Sequence, residues 1–592
     1  MNAKLKTILT TAWNEPRVFF LWLTLGSALL SGSATLFVHI TNPEHTFASP
    51  VPPAVQMIAL LSLLCLGVSF VCFFLAWIPP LRRLFTRLLQ RRFFVLACLG
   101  TLIALFYAVE NWRGRQAWAN FQREWAAKGE HFDLASVIPP TVPDDENFFM
   151  TKPWETLRLA STNRTTQWDD GPAVLDSSPK GRAPSLGDVT RAVRTDLGNW
   201  QEYYRGTNNL VAAGDGAFTN YFPVAANPQS PAQDVLLALT RYADTLRQLH
   251  EAARRPHARV WVNYEDGFAV NLSHLAKIKG CAQYLSIHAI ASLANGDPDT
   301  ALADVLLSYR LNEALKSEPL LITHLVRVAL GNIQIIALWE GLTDQRWSDS
   351  QLALLDAALA KENYLENYQQ AMRGERACFN YTIDQIRRTR NLDFLGEPEA
   401  FAQAEDSLLE QTLGNSLFRL VPGGWFDQNK VSISRINVEL LLTAVDVEHG
   451  IAAPAAVRRT DEESRKRTSA VTPYNLFGRT LLPALSRLAE KCGQVQSMVD
   501  LARVAIALER HRLANGQHPE TLAALEPKFI AKLPHDVING QPLKYRRTDN
   551  GSFLLYSVGW NEKDDGGSVV LSKDGKKVNW KEGDWVWRYP EK

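Results

Sequence analysis

LAKIKGCAQYLSIHAIASLANGDPDTALADVLLSYRLNEAL, residues 275–315, is the stretch on which the fold turns. Leu275 to Leu293 reads as one helix, ended by Asn295-Gly296. Asp297 is a good N-cap, and Pro298 suits the first helical position, where its missing N–H has no partner to lose. A second helix then runs to about Leu315. Two helices joined by so short a turn lie antiparallel as a hairpin. Helical periodicity continues around this pair, from Ala232 to about Gln369, with one interruption, a strand expected at Val260 to Tyr264. Further helices are expected at Leu320 to Leu342, Asp349 to Lys361, Tyr364 to Arg388 and Pro398 to Leu420; Pro422-Gly423-Gly424 breaks the last. Arg458 to Arg467, charged and poor in apolar residues, reads as an exposed loop. The fold class is therefore mainly α.

The 275–315 pair resembles a tetratricopeptide unit. Ala289 takes the small contact position, Gly296-Asp297 the turn, and Ala301 the small residue opening the second helix. Ser292 stands where an aromatic is usual and Glu313 where a proline is usual, and no clear 34-residue recurrence follows. The expectation is α-helical hairpin layers, partly tetratricopeptide-like, rather than a regular array.

Upstream, Val18 to Ile40 and Ala54 to Ile78 are apolar runs long enough to span a ~30 Å hydrocarbon core, and Phe93 to Val109 sits at the lower limit. Trp13, Trp22, Trp77 and Trp112 lie near the ends of these runs, where amphipathic rings settle. The segment between runs two and three carries Arg82, Arg83, Arg87, Arg91 and Arg92, whereas Thr41 to Pro53 has no Lys or Arg. That asymmetry predicts three transmembrane helices over residues 1–112, with the N-terminus in the cytoplasm. The chain is expected in the cytoplasmic (inner) membrane, with the lipid bilayer as one partner. Everything after about residue 112 then faces the periplasmic or extracellular side. A helix is expected to continue through Trp118, Phe121 and Trp125 to Gly129. From Pro139 to about Pro231 the chain is rich in Pro, Asp, Gly and Ser, which reads as turns, with a short helix near Trp200 to Tyr204. Residues 113–231 are thus a juxtamembrane helix and irregular segment, 232–490 a helical domain, and 491–592 a last unit.

That last unit opens with a helical stripe over Gln494 to Ala514 (Met498, Leu501, Ala505, Leu508), stopped at Asn515-Gly516. Strands are expected at Pro542 to Arg547 and Phe553 to Val558 around Asp549-Asn550-Gly551. The order of motifs is similar to the globular part of the major pseudopilin of type II secretion systems. Gly516 to Pro519 matches its Gly-x-x-Pro turn and Pro534-His535-Asp536 its Pro-x-Asp turn. Gly540, Pro542, Leu543 and Tyr545 match its strand start, and Ser557, Gly559, Gly566 and Gly567 its Gly-Gly loop. The likeness covers about 100 residues and implies a small α+β pilin-like domain. The family's prepilin cleavage signal is absent from the start of this helix, so the likeness implies a borrowed fold rather than pilus assembly. It also implies Ca²⁺ in the loop Trp560 to Gly567, with Asn561, Asp564 and Asp565 as ligands; hard oxygens in a Gly-bent loop suit that ion. The same residues read equally as an acidic, solvated turn. As a whole the chain also looks like a set of large bacterial membrane-anchored proteins of no assigned activity.

Charge is balanced, 63 basic against 62 acidic residues, so no global field draws nucleic acid. Cys281, Cys378 and Cys492 have no CxxC or metal-ligand spacing; one disulfide and three free thiols are both open. No G-x-S-x-G, H-E-x-x-H, Walker-type loop or helix-opening G-x-G-x-x-G occurs, and no catalytic residue stands out. His274, His288 and His324 lie on expected helices with no two one turn apart, and read as core or surface histidines. Glu375-Arg376 and Glu509-Arg510 read as ion-paired helix faces. These features favour an extracytoplasmic scaffold that holds other envelope proteins. The alternative is an extracytoplasmic hydrolase whose site lies between the Pro-rich segment and the helical body.

Overall fold

The 275–315 hairpin forms where its punctuation places it. In a computed structural model, which describes residues 16–18, 20–21, 24–25, 70–71, 73–75, 77–154, 175, 183–212, 218–390, 420–470, 472–548 and 551–590, helix accounts for 61% and strand for 8%. The chain is mainly α. It divides into two compact units, residues 1–114 with 401–424, and residues 115–400 with 425–592.

The longest element, α1 (Pro79–Ala126), has 48 residues. Between Arg91 and Ala126 it is long and apolar enough to cross a membrane, and Phe94, Leu102 and Trp112 on it are exposed. The arginine-rich segment expected as a connection is helical from Pro79 onward. Its two prolines fall in the first turn, where they do no harm, and neither Gly nor Pro recurs before Gly100. Most of the first two expected spans lies outside the described residues.

In the second unit, residues 134–154 form three single 3₁₀ turns. The expected short helix is α2 (Leu197–Arg205), which buries Trp200, Tyr203 and Tyr204. A hairpin follows, β1 (Leu210–Ala212) with β2 (Phe218–Asn220). The strand expected at Val260 to Tyr264 does not form: that stretch leads into a 3₁₀ segment, Tyr264–Ala269, and joins no sheet among the described residues. β-branched residues favour a strand only where a neighbour offers a ladder.

Seven helices then build the body: α3 (Pro231–Leu239), α4 (Ala243–Ala252), α5 (Ser273–Ala294), α6 (Pro298–Ala314), α7 (Leu321–Thr343), α8 (Asp349–Leu359) and α9 (Tyr364–Thr389). Asp297 caps α6 by accepting the Thr300 N–H at 3.1 Å, and Gly296 takes φ +83° in the turn. α7 is also apolar enough to cross a membrane, but more than half of its apolar window is buried against α5, α6 and α12, so it is a core helix. The expected helix Pro398 to Leu420 lies outside the described residues, and α10 (Gly423–Ile436) follows it.

Arg458 to Arg467 is not a loop. It lies in α11 (Pro454–Thr468), which buries Pro454, Val457, Thr460 and Thr468. Pro454 opens the helix, and Arg465, Lys466 and Arg467 close it beside the unpaired carbonyls. Charges on the outer face hid this narrow buried stripe. The next helix, α12 (Leu476–Asn515), starts at Leu476 rather than Gln494. It packs on α7, α8, α9 and α11 and on two C-terminal strands.

The C-terminal strands are β3 (Lys544–Arg547), β4 (Phe553–Ser557), β5 (Val569–Leu571), β6 (Val578–Gly583) and β7 (Trp585–Trp587). β3, β4 and β7 form an antiparallel sheet, and β5 pairs with β6. Trp585, Val586 and Trp587 are fully buried against α12. One apolar core runs from Phe121 through α7, α9 and α12 to Trp587, so the segments read as 113–231, 232–490 and 491–592 contribute to one interior. Cys281, Cys378 and Cys492 are buried thiols that take part in no disulfide.

Candidate functional sites

After β4 the chain turns at Gly559 (φ +70°), where a Cβ would sit 2.3 Å from the Gly583 carbonyl oxygen, so only glycine fits. The loop that follows holds Asn561, Asp564 and Asp565 together, and the protein already answers their charges. Asp564 Oδ1 accepts the Tyr556 hydroxyl at 2.9 Å and the Gly566 N–H at 3.1 Å, while Lys544 Nζ lies 3.2 Å from Oδ2. These bonds, Tyr556 foremost, hold the Asp564 carboxyl below its usual range. Asp565 Oδ2 accepts the Asn561 amide at 2.7 Å, and Asn561 Oδ1 takes the Lys563 N–H at 3.1 Å. The donors are oxygens of the kind calcium takes, but among the described residues no three His, Cys, Asp or Glu side chains gather as a metal group.

Two carboxylates outside the expected ligand set, Asp536 and Asp584, anchor this region. Asp536 accepts the Ser557 hydroxyl at 2.8 Å and the N–H groups of Val558 and Ile538 at 2.9 and 3.0 Å. Asp584 accepts the N–H groups of Gly567 and Asp565 at 2.6 and 3.2 Å. Burial raises the Asp584 carboxyl above its usual value even against these bonds. Asp536 stood in the Pro-x-Asp turn; its buried role needed the fold to appear.

Beside the loop, a cleft of about 500 Å³ opens between α11, α12 and the C-terminal strands. Its charged lining is Arg458, Arg465, Arg487 and Lys581 against Asp461 and Glu490; Asn561 and Trp560 complete one wall. Trp560 is fixed by stacking on Trp585, with ring centroids 6.3 Å apart and planes 13° from parallel. Arg458 pairs with Glu562 at 2.6 Å, and Lys581 lies 3.9 Å from Glu490. Arg465 and Arg487 are exposed and have no partner among the described residues. The Ser464 hydroxyl, also in the lining, is buried without a hydrogen bond.

The three histidines are paired. His274 Nε2 lies 2.9 Å from Glu318, and His324 Nε2 lies 3.2 Å from Cys492 Sγ. Burial first, then Arg327, pushes His324 down to about 3, so it is a neutral core residue. His288 differs. Its Nδ1 lies 2.6 Å from Asp304 Oδ2, which is buried, while the ring also lines a cavity of about 370 Å³ with His250, Tyr284, Arg247 and the apolar Leu239 and Leu246. Burial raises Asp304 against the pull of His288, and burial lowers His250. A buried carboxylate on Nδ1 fixes the imidazole's orientation, the arrangement a general base requires.

The deepest charges are enclosed. Arg327 Nη2 lies 3.0 Å from Glu362, and its Nε donates to Asn312 Oδ1 at 3.0 Å. Arg376 Nη2 lies 2.7 Å from Glu130, which fastens the stretch after α1 onto α9. Burial would raise Glu130, but Arg373 and Arg376 outweigh it and hold it below its usual value. Of the expected helix-face pairs, Arg376 is thus buried and paired far along the chain, Glu509 pairs with Arg512, and Arg510 pairs with Asp349. No family model, curated protein or solved structure matches this chain.

Proposed function

We propose that the chain is a membrane-anchored extracytoplasmic scaffold that holds a partner envelope protein at the cleft between α11 and the C-terminal strands. Three spans, Val18 to Ile40, Ala54 to Ile78 and Phe93 to Val109, anchor it with the N-terminus in the cytoplasm, and the C-terminal strands with α12 act as a pilin-like contact module. The single observation that carries the reading is the cleft itself: two exposed arginines without partners among the described residues stand in walls fixed by a shared core. Rigid walls lower the ordering cost of binding. A photo-crosslinking residue in place of Asp461, in intact membranes, should trap one identified chain, whereas the same probe at Thr219 on β2 should not. Equal yields at both positions, or none, would end the scaffold reading.

The proposal includes calcium at Asn561, Asp564 and Asp565, the ion taking over the counter-charge that Lys544 supplies to Asp564. Calcium binding only the folded chain would stabilise it by about 2.7 kcal/mol at a hundredfold excess over Kd. A higher Tm in millimolar calcium than in chelator, lost in D564N/D565N, supports it; identical melting curves would refute it.

The hydrolase reading is favoured by one observation, the His288–Asp304 pair facing a cavity. There His288 would take a proton from water attacking an ester. Hydrolysis of p-nitrophenyl butyrate by the purified chain should fall to background in H288A; equal rates would remove this reading.

A further inference from the structure

We propose that the occupant of the cleft is an acidic peptide segment of the partner protein, its carboxylates gripped by Arg465 and Arg487; this rests on the scaffold reading above. The lining has four basic side chains against two acidic ones. Arg458 and Lys581 are engaged by Glu562 and Glu490, so their charge is present but their positions are set from within. Among the described residues nothing engages the side chains of Arg465 and Arg487, and the guanidinium fork matches a carboxylate with two parallel hydrogen bonds.

The other groups in the lining distinguish a peptide from a compact oxyanion. Asp461 and Glu490 share the cleft with the arginines. A phosphate group concentrates its charge and would meet both carboxylates as it met the cations. A peptide spreads its carboxylates along an extended backbone and brings N–H donors that Asp461 can accept. Val457 and the Trp560 wall give apolar contact between the acidic side chains. The recognition is electrostatic at its centre and salt-sensitive, because both arginines are exposed.

The test uses the full chain in detergent micelles and a fluorescent eight-residue peptide of alternating glutamate and tryptophan. Saturable binding is expected, weakened by added salt, with no binding of the matched lysine–tryptophan peptide. The double variant R465E/R487E should bind about tenfold more weakly or worse, and R465Q/R487Q should fall between it and the parent chain. Equal binding by the parent and both variants would overturn the proposal. So would displacement of the peptide by inorganic phosphate, or by phosphatidylglycerol vesicles, at concentrations below those of unlabelled peptide; these identify an oxyanion or a lipid headgroup as the occupant. Crosslinking from position 461 separates the two levels. An adduct that persists in R465E/R487E, with no peptide binding, keeps the scaffold and rejects the acidic segment. Peptide binding without any adduct keeps the acidic preference and rejects the scaffold.

Discussion

Arg327 is almost fully buried, and its guanidinium is satisfied by Asn312 on α6 and by Glu362 and Asn367 around the start of α9. Removing one member of a buried pair strands the other, so Arg327→Ala should cost about 3–5 kcal/mol. Urea unfolding in detergent would measure it, and Arg327→Met with Glu362→Gln should recover part of the loss. A loss below that of a surface Arg→Ala control would contradict the network. Asp500 tests burial through pH. Burial pushes its carboxyl up to about 7, against the hydrogen bond from Gln496. An unfolded Asp ionises near about pH 4. Between about pH 4 and 7 the folded chain therefore holds a proton that the unfolded chain has lost. This contribution to stability falls as pH rises, by up to about 1.4 kcal/mol per pH unit. Asp500→Asn should flatten that part of the Tm profile; parallel profiles for parent and variant would show that Asp500 titrates normally. Both residues are plain in the sequence, but their burial is not, because each sits on a helix whose buried side is set by its neighbours.

Among the elements, α12 carries the most consequence. Leu501 on it is fully buried in the core that reaches from Phe121 to Trp587. Leu501→Ala should cost about 2–5 kcal/mol. Because α12 belongs to both the helical body and the C-terminal sheet, far-UV ellipticity and tryptophan fluorescence should shift to the same lower midpoint. Two separated transitions would mean that the body and the strands melt independently. A close approach sets a second test: a Cβ on Gly374 of α9 would sit 1.8 Å from the Pro319 carbonyl oxygen. Gly374→Ala should therefore force α9 off the loop that leads into α7 at a cost of about 1–3 kcal/mol, read as a lower Tm. The α5–α6 hairpin was legible throughout, and so, in retrospect, was its ion pair. His288 and Asp304 each lie eight residues from Gly296 (296 − 288 = 304 − 296), and equidistant residues face one another across an antiparallel turn. α11 was not legible, because four buried positions among many charges leave too weak a period.

For the whole molecule, the arginine asymmetry predicts that a reporter active only outside the cytoplasm works after Lys592 and fails at Arg87. The opposite pattern would reverse every statement of compartment. Sequence alone determined the mainly α class, the helices from Leu321 to Thr389 to within a residue or two at most ends, and the Asp297–Pro298 start of α6, because these rest on local periodicity and capping. It also placed Asn561, Asp564 and Asp565 in one loop, since they are neighbours in the chain. What only the tertiary structure decided is which surfaces are covered. α1 and α7 both pass as membrane-crossing by length and composition, yet only the apolar window of α7 is packed inside the protein. The partners of Arg327, Arg376 and Asp536, the pairing of β7 with β4, and the cleft that leaves Arg465 and Arg487 open all arise from residues apart in sequence. Local propensity is written along the chain, whereas burial is settled by which distant elements meet.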